Sequence, residues 1–227
     1  FWIPEGHRDG TYVSYPFEAL LAVVAIESVR SDTIVVGEDL GLVPEGLRDR
    51  LAASGIYGMD VLQYMRSPAG GFRDTAEARA LALCAFATHD TPTVAGFFAA
   101  EDACTRAGFG GIDADTLAQT RADRKRARVS LGACDPVPEV HRRLACARAA
   151  MVAVQLDDLA EQRAQQNLPG TVDEYPNWRL KAPFTVEALA SSDAFARLGA
   201  EMQAQNRANP NRMERDNDLQ DCSDHSH

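Results

Sequence analysis

Two apolar runs in this chain end in acid. Thr33-Ile34-Val35-Val36-Gly37 closes in Glu38-Asp39, and Leu81-Ala82-Leu83-Cys84-Ala85-Phe86-Ala87 closes in Thr88-His89-Asp90, ahead of the turn residues Thr91-Pro92-Thr93. Such runs fit buried strands, and carboxylates at the carboxyl edges of strands stand where barrel enzymes keep their catalytic groups. A carboxyl desolvated among apolar side chains holds its proton, while a wetter neighbour stays ionised; a pair of this kind suits acetal or glycoside cleavage. The same residues have plainer uses. An acid after a strand caps the next helix, acids at strand ends hold a hard cation such as Mg²⁺ in a barrel lyase, and His89 alone would be a loop histidine.

The elements that must position these groups alternate. Pro16 can open a helix whose Phe17, Leu20, Leu21 and Val24 recur at three and four residues, ending at Arg30-Ser31-Asp32 before the Thr33 strand. A second helix is expected from Pro44 to Ser54 with Gly55 as its C′ residue, then a strand from Met59 to Met65 and a loop at Gly70-Gly71. Strand and helix in alternation imply a parallel sheet in an α/β fold. A helix is expected from about Pro92 to Ala100. The stretch 101–145 then loses strand character and fits a helical insertion, with Arg121 to Arg128 as a solvated basic helix face. Ala150 to Leu156 restores a strand, with Gln155, Asp157 and Asp158 near its carboxyl edge, and the polar stretch 203–227 is expected to be disordered.

Five strings, in order, resemble the amylomaltases, the 4-alpha-glucanotransferases of glycoside hydrolase family 77. They are Phe1-Trp2-Ile3-Pro4-Glu5-Gly6; Gly10-Thr11-Tyr12-Val13-Ser14-Tyr15-Pro16; Val36-Gly37-Glu38-Asp39-Leu40-Gly41-Leu42-Val43-Pro44; Ala87-Thr88-His89-Asp90-Thr91-Pro92-Thr93; and Asn167-Leu168-Pro169-Gly170-Thr171 with Tyr175-Pro176-Asn177-Trp178-Arg179. The resemblance implies the C-terminal half of a (β/α)8 TIM barrel. It places barrel strands five to seven and their helices in 1–100, the insertion in 101–145, and the last strand with closing helices in 146–202. It implies retaining glycosyl transfer of alpha-1,4-glucan segments between maltooligosaccharides, in maltodextrin, glycogen or starch metabolism, without metal or organic cofactor.

By the same resemblance Glu38 matches the acid/base, and Asp90 the aspartate that stabilises the transition state. His89, Asn167 and Trp2 match or suggest sugar contacts, the plainer readings being a core residue for Trp2 and a turn asparagine for Asn167; Asp39 joins the substrate site in support of Glu38 or caps a helix; and Asn177-Trp178-Arg179 packs the barrel end or contacts sugar. The family's aspartate nucleophile lies in an Arg-x-Asp-His segment shortly before the Trp-Ile-Pro string, which this sequence does not include. With Phe rather than Met in first place, the chain is expected to be a C-terminal piece of a longer enzyme, inactive and aggregation-prone by itself. Other readings are a non-catalytic glucan-binding fragment and a metal-dependent lyase using Glu38, Asp39 and Asp90.

Composition narrows the partners. With 23 basic and 33 acidic residues the net charge is −10, which provides no footprint for nucleic acid or an anionic membrane and suits a neutral sugar. Five cysteines (Cys84, Cys104, Cys134, Cys146, Cys222) without C-x-x-C spacing favour reduced thiols and the cytoplasm.

Overall fold

The computed structural model describes residues 2–207. Between Gly58 and Met59 the chain divides into two compact units.

In the first unit, Trp2 and Thr11 form an antiparallel bridge. Helix α1 (Phe17–Arg30) follows Pro16 as expected, with Glu18 in its first turn and Arg30 in its last, each suited to the helix dipole. Its last turn is also tied by an ion pair, Arg30 to Glu27 at 2.6 Å. The expected strand at Thr33 is reduced to an extended segment, bridged in parallel only at Val36 and Tyr57. Helix α2 (Leu47–Ala53) starts later than expected, because Gly46 before it takes a left-handed conformation. Gly55 sits just beyond its C-cap at φ +70°, the backbone state that a C′ glycine supplies at least cost. No residue of α1 or α2 is buried, and α1 exposes Leu20, Val23, Ile26 and Val29.

The second unit is an α/β body. Strands β1 (Gly58–Val61), β2 (Ala82–Ala85) and β3 (Met151–Ala153) form one sheet in that order. β2 and β3 pair in parallel, with Leu83, Cys84 and Ala85 opposite Met151, Val152 and Ala153. Parallel neighbours need a long crossover. Helices α3 (Val94–Ala99), α4 (Glu101–Gly108), α5 (Ala114–Leu131) and α6 (Pro136–Ala145) supply it, and α7 (Leu156–Leu159), α8 (Val186–Ala190) and α9 (Asp193–Ala204) follow β3.

Local chemistry starts these helices where they start. Thr93, Asp113 and Ser192 accept the third backbone N–H of α3, α5 and α9, while Asp135 caps α6 just ahead of Pro136 at its first position. α6 turns Val137, Val140, His141 and Leu144 inward at spacings of three and four. The stretch 101–145, expected as an insertion, shares the core of this unit: Ala127, Leu131, Val140 and Leu144 belong to one cluster with Leu62, Cys84, Phe86 and Val94. Four rings, Phe72, Phe86, Phe97 and Phe98, fill its centre with edge contacts such as Phe86–Phe97 at 5.4 Å. The Arg124 guanidinium lies 3.6 Å from the Phe97 ring centre and pairs with Asp102 at 3.3 Å. Part of the basic stretch 121–128 is therefore packed rather than solvated.

The expected disordered tail meets order at its start. α9 reaches Ala204, and Arg207 donates to the carbonyls of Ala145, Ala147 and Ala149, closing the last turn of α6 and the approach to β3. The rest of that tail, 208–227, lies outside the described residues, as does Cys222.

The apolar face of α1 yields a prediction. The 227-residue chain by itself should bind a hydrophobic fluorescent dye and self-associate at micromolar concentration, and Val23→Glu with Ile26→Lys should reduce both. Light scattering and dye titration read the outcome; a parent chain that is monomeric and dark to the dye would contradict it.

Candidate active site

In the first unit, Glu38 follows the bridged segment. The Gly37 amide donates to the Tyr57 carbonyl at 2.8 Å, and the Tyr57 amide to Val35 at 3.0 Å. That pairing fixes the backbone one residue before Glu38, whose side chain is exposed. Asp39 turns the other way. It is 3 % exposed, accepts from Arg48 Nε at 3.1 Å, and its carbonyl accepts from Arg48 Nη2 at 2.7 Å. It does not cap α2, and its carboxylate is engaged by the Arg48 guanidinium. Trp2 is 57 % exposed, so it is not a core residue.

The second unit gathers most of the remaining expected residues at the carboxyl edge of β2. Asp90 sits in a turn tied by its own hydroxyls: the Thr88 amide donates to Thr91 Oγ1 at 2.8 Å, and the Asp90 amide to Thr88 Oγ1 at 3.2 Å. Asn167 Nδ2 donates to Asp90 Oδ1 at 2.6 Å, and His89 Nε2 lies 3.4 Å from the same oxygen. The structure thus brings His89, Asp90 and Asn167 into one exposed cluster.

Trp178 joins them. Of its two expected uses, packing and a sugar contact, its 61 % exposure goes against packing; its ring centre is 5.5 Å from that of His89, and its φ of +61° is left-handed, a conformation an indole-bearing residue adopts only under constraint. The constraint is the bond from its amide to the Gln166 carbonyl at 2.8 Å. Neighbouring Asn177 is structural: its side chain receives the Leu168 amide at 2.8 Å and donates to Thr171. Asn167 and Trp178 therefore stand on one internally tied loop.

Gln155 and Asp158 were expected near the edge of the last strand, but the sequence did not reveal what they hold, nor did it single out Gln63 and Gln165. Gln155 Nε2 donates to the Thr88 carbonyl at 3.0 Å, Gln165 Nε2 to Asp90 O at 3.4 Å, and Gln63 Nε2 to Pro92 O at 2.6 Å. Asp158 Oδ1 accepts from the Val94 amide at 2.7 Å. The Thr93 hydroxyl donates to Gln162 O, and the loop can come this close because residue 96 is glycine: a Cβ there would meet the Arg163 carbonyl oxygen at 2.3 Å. Burial pushes the Asp158 carboxyl up to about 7, with Asp157 adding to the rise and the Val94 N–H opposing it. Among the described residues, no three or more His, Cys, Asp or Glu side chains converge as metal ligands.

A family model described as 4-alpha-glucanotransferase, of glycoside hydrolase family 77, matches residues 1–186. The chain belongs to this family. It is 36 % identical over 202 residues to a 4-alpha-glucanotransferase of Mycobacterium tuberculosis H37Rv, covering 79 % of this chain and 28 % of that protein. It is 32 % identical over 219 residues to the 4-alpha-glucanotransferase of Haemophilus influenzae, covering 86 % and 31 %. Its fold is similar to the crystal structure of amylomaltase from Corynebacterium glutamicum, with TM-score 0.74, 29 % identity, and 85 % and 32 % of the two chains covered. An amylomaltase from Streptococcus agalactiae in complex with acarbose shares the fold at TM-score 0.62 and 20 % identity, over 87 % and 36 % of the chains. The chain thus spans about a third of the length of these relatives. Among the described residues, no helix is long and apolar enough to cross a membrane.

The Asp158 carboxyl carries a pH prediction. Its folded pKa of about 7 lies above the ordinary 3.8, so the stability tied to its neutral form is fully present below pH 3.8 and is lost as pH rises to about 7. Asp158→Asn in a transferase carrying this chain should therefore gain on the parent between pH 4 and pH 8, by up to a few kcal/mol. Urea midpoints at the two pH values measure it; a constant gap between parent and variant would contradict the assignment.

Proposed function

We propose that this chain carries the acid/base and stabilising carboxylates of a retaining 4-alpha-glucanotransferase, whose nucleophile comes from a segment outside this sequence. The observation that carries the proposal is the convergence of Asp90, His89, Asn167 and Trp178 at the end of β2, in a chain of this family. The fold of the second unit and its similarity to an amylomaltase support a place in the C-terminal half of a (β/α)8 barrel, with the helices of 101–145 inserted before the last strand.

Glu38 protonates the leaving glucosyl oxygen while the incoming aspartate attacks the anomeric carbon, with the two carboxyls about 5 to 5.5 Å apart in retaining chemistry. Glu38 then takes the proton from the 4-hydroxyl of a second maltooligosaccharide, and an alpha-1,4 bond is remade. Asp90 lies beside the oxocarbenium-like charge as it develops, held in aim by the Asn167 amide. His89 offers a hydrogen bond to a sugar hydroxyl, and the exposed faces of Trp178 and Trp2 offer stacking surfaces to glucosyl rings. Glucan donors and acceptors are the partners. The free thiols of Cys84, Cys104, Cys134 and Cys146 support a cytoplasmic setting.

The roles separate by substrate. In the complete enzyme, Glu38→Gln should lower kcat on maltotriose by about 10²- to 10⁴-fold, yet spare glycosylation by a glucosyl fluoride, whose leaving group needs little protonation. Asp90→Asn should slow both donors by at least about 10²-fold, because both build the same charge. Equal slowing of the two donors by Glu38→Gln, or an Asp90→Asn enzyme near parent rate, would show the roles to be wrong.

A further inference from the structure

The turn that carries Asp90 is gripped at both ends by one junction, the passage from β3 into α7. At the front, Gln155 Nε2 holds the Thr88 carbonyl at 3.0 Å. At the back, Asp158 Oδ1 holds the Val94 amide at 2.7 Å. Val94 is the first residue of α3, so its N–H has no partner within the helix and would otherwise be an orphan at a fully buried position. Between Asp90 and Val94 the chain has little slack: Pro92 fixes its own φ, its carbonyl is held by Gln63, and the Thr93 hydroxyl is bound to Gln162 O. The Asp158 bond is thus one of a set of ties along 88–94 that together fix where Asp90 stands, and its loss loosens the set.

We infer that Asp158 is a positioning residue for the transfer reaction, a buried brace that sets where the Asp90 carboxylate stands; the inference rests on the role proposed above for Asp90. Asp158 is 1 % exposed, so it can reach the sugar only through the turn it holds. A buried carboxyl costs folding free energy, and an apolar residue would fill the same space more cheaply, but only an oxygen acceptor fixes Val94 N. Because burial makes the neutral acid available near neutral pH, an amide of the same shape is a fair replacement. The effect on rate follows from geometry, since a displacement of about 1 Å at a catalytic group can cost about 10²-fold.

The test compares Asp158→Asn, which keeps the acceptor, with Asp158→Ala and Asp158→Leu, which remove it, the latter preserving bulk should the alanine variant fail to fold. In the complete enzyme, Ala or Leu should lower kcat about 10- to 100-fold on both maltotriose and glucosyl fluoride with KM within about threefold, while Asn stays within about threefold of parent. Hydrogen exchange at the amides of 88–94 should quicken in Ala or Leu and not in Asn. The inference is overturned by a folded Ala or Leu enzyme with near-parent kcat, by Asn falling as far as Ala, or by a loss confined to KM. An active Asp90→Asn enzyme would overturn the functional proposal instead, whereas a dead Asp90→Asn beside an unimpaired Asp158→Ala would sink this inference alone.

Discussion

The parallel pairing of β2 with β3 is the constraint on which the rest of the second unit hangs. Because Leu83, Cys84 and Ala85 face Met151, Val152 and Ala153 in the same direction, both strands release their chains at the same edge of the sheet. The turn bearing His89 and Asp90 and the junction bearing Gln155 and Asp158 therefore arise side by side. An antiparallel pairing would have sent one of them to the far edge, with no route for the bonds from Gln155 to Thr88 or from Asp158 to Val94. The pairing is short, and what holds it is mostly behind it. Cys84 is fully buried in the cluster of Phe86, Phe97, Val140 and Leu144, where burial pushes its thiol up to about 12 and leaves it inert.

The crossover between the two strands supplies that backing. α3 and α5 close over the phenylalanine cluster, and the Asp102–Arg124 pair lies against the Phe97 ring, so a charged side chain serves as packing. α6 adds Val140 and Leu144, together with His141, whose imidazole burial drives down to about 4 and so keeps neutral at ordinary pH. Arg207, arriving from the end of α9, caps the exit of α6.

Much of this was legible in the sequence, and the parts that were not share a cause. Helices with a breaker and a periodic face, such as α1 after Pro16 and α2 before Gly55, could be placed because the signal is local. Glu38 and Asp90 stood out because apolar runs end in them. Asp39 was legible as an acid but not as the partner of Arg48, since nothing local says which way a side chain turns after a strand. Gln155 could be placed at a strand's edge and Gln165 not at all, and neither could be matched to the carbonyl it holds, which lies far away in sequence. Trp178 could be read as packing or as a sugar contact; its exposure goes with a left-handed backbone that composition does not announce.

The loop from Gln162 to Trp178 has a consequence for where its own sequence can change. Most of its bonds are to itself: Tyr175 Oη to Gln165, Asn177 to Leu168 and Thr171, and Trp178 to Gln166. Its seat on α3 is a glycine-sized gap beside the Arg163 carbonyl. The segment folds on itself, yet it is also tied outward, by Asn167 and Gln165 to Asp90 and by Gln162 to Thr93. Changes confined to positions outside those ties leave them and the Gly96 gap in place, so the loop can vary there without moving the turn that bears Asp90.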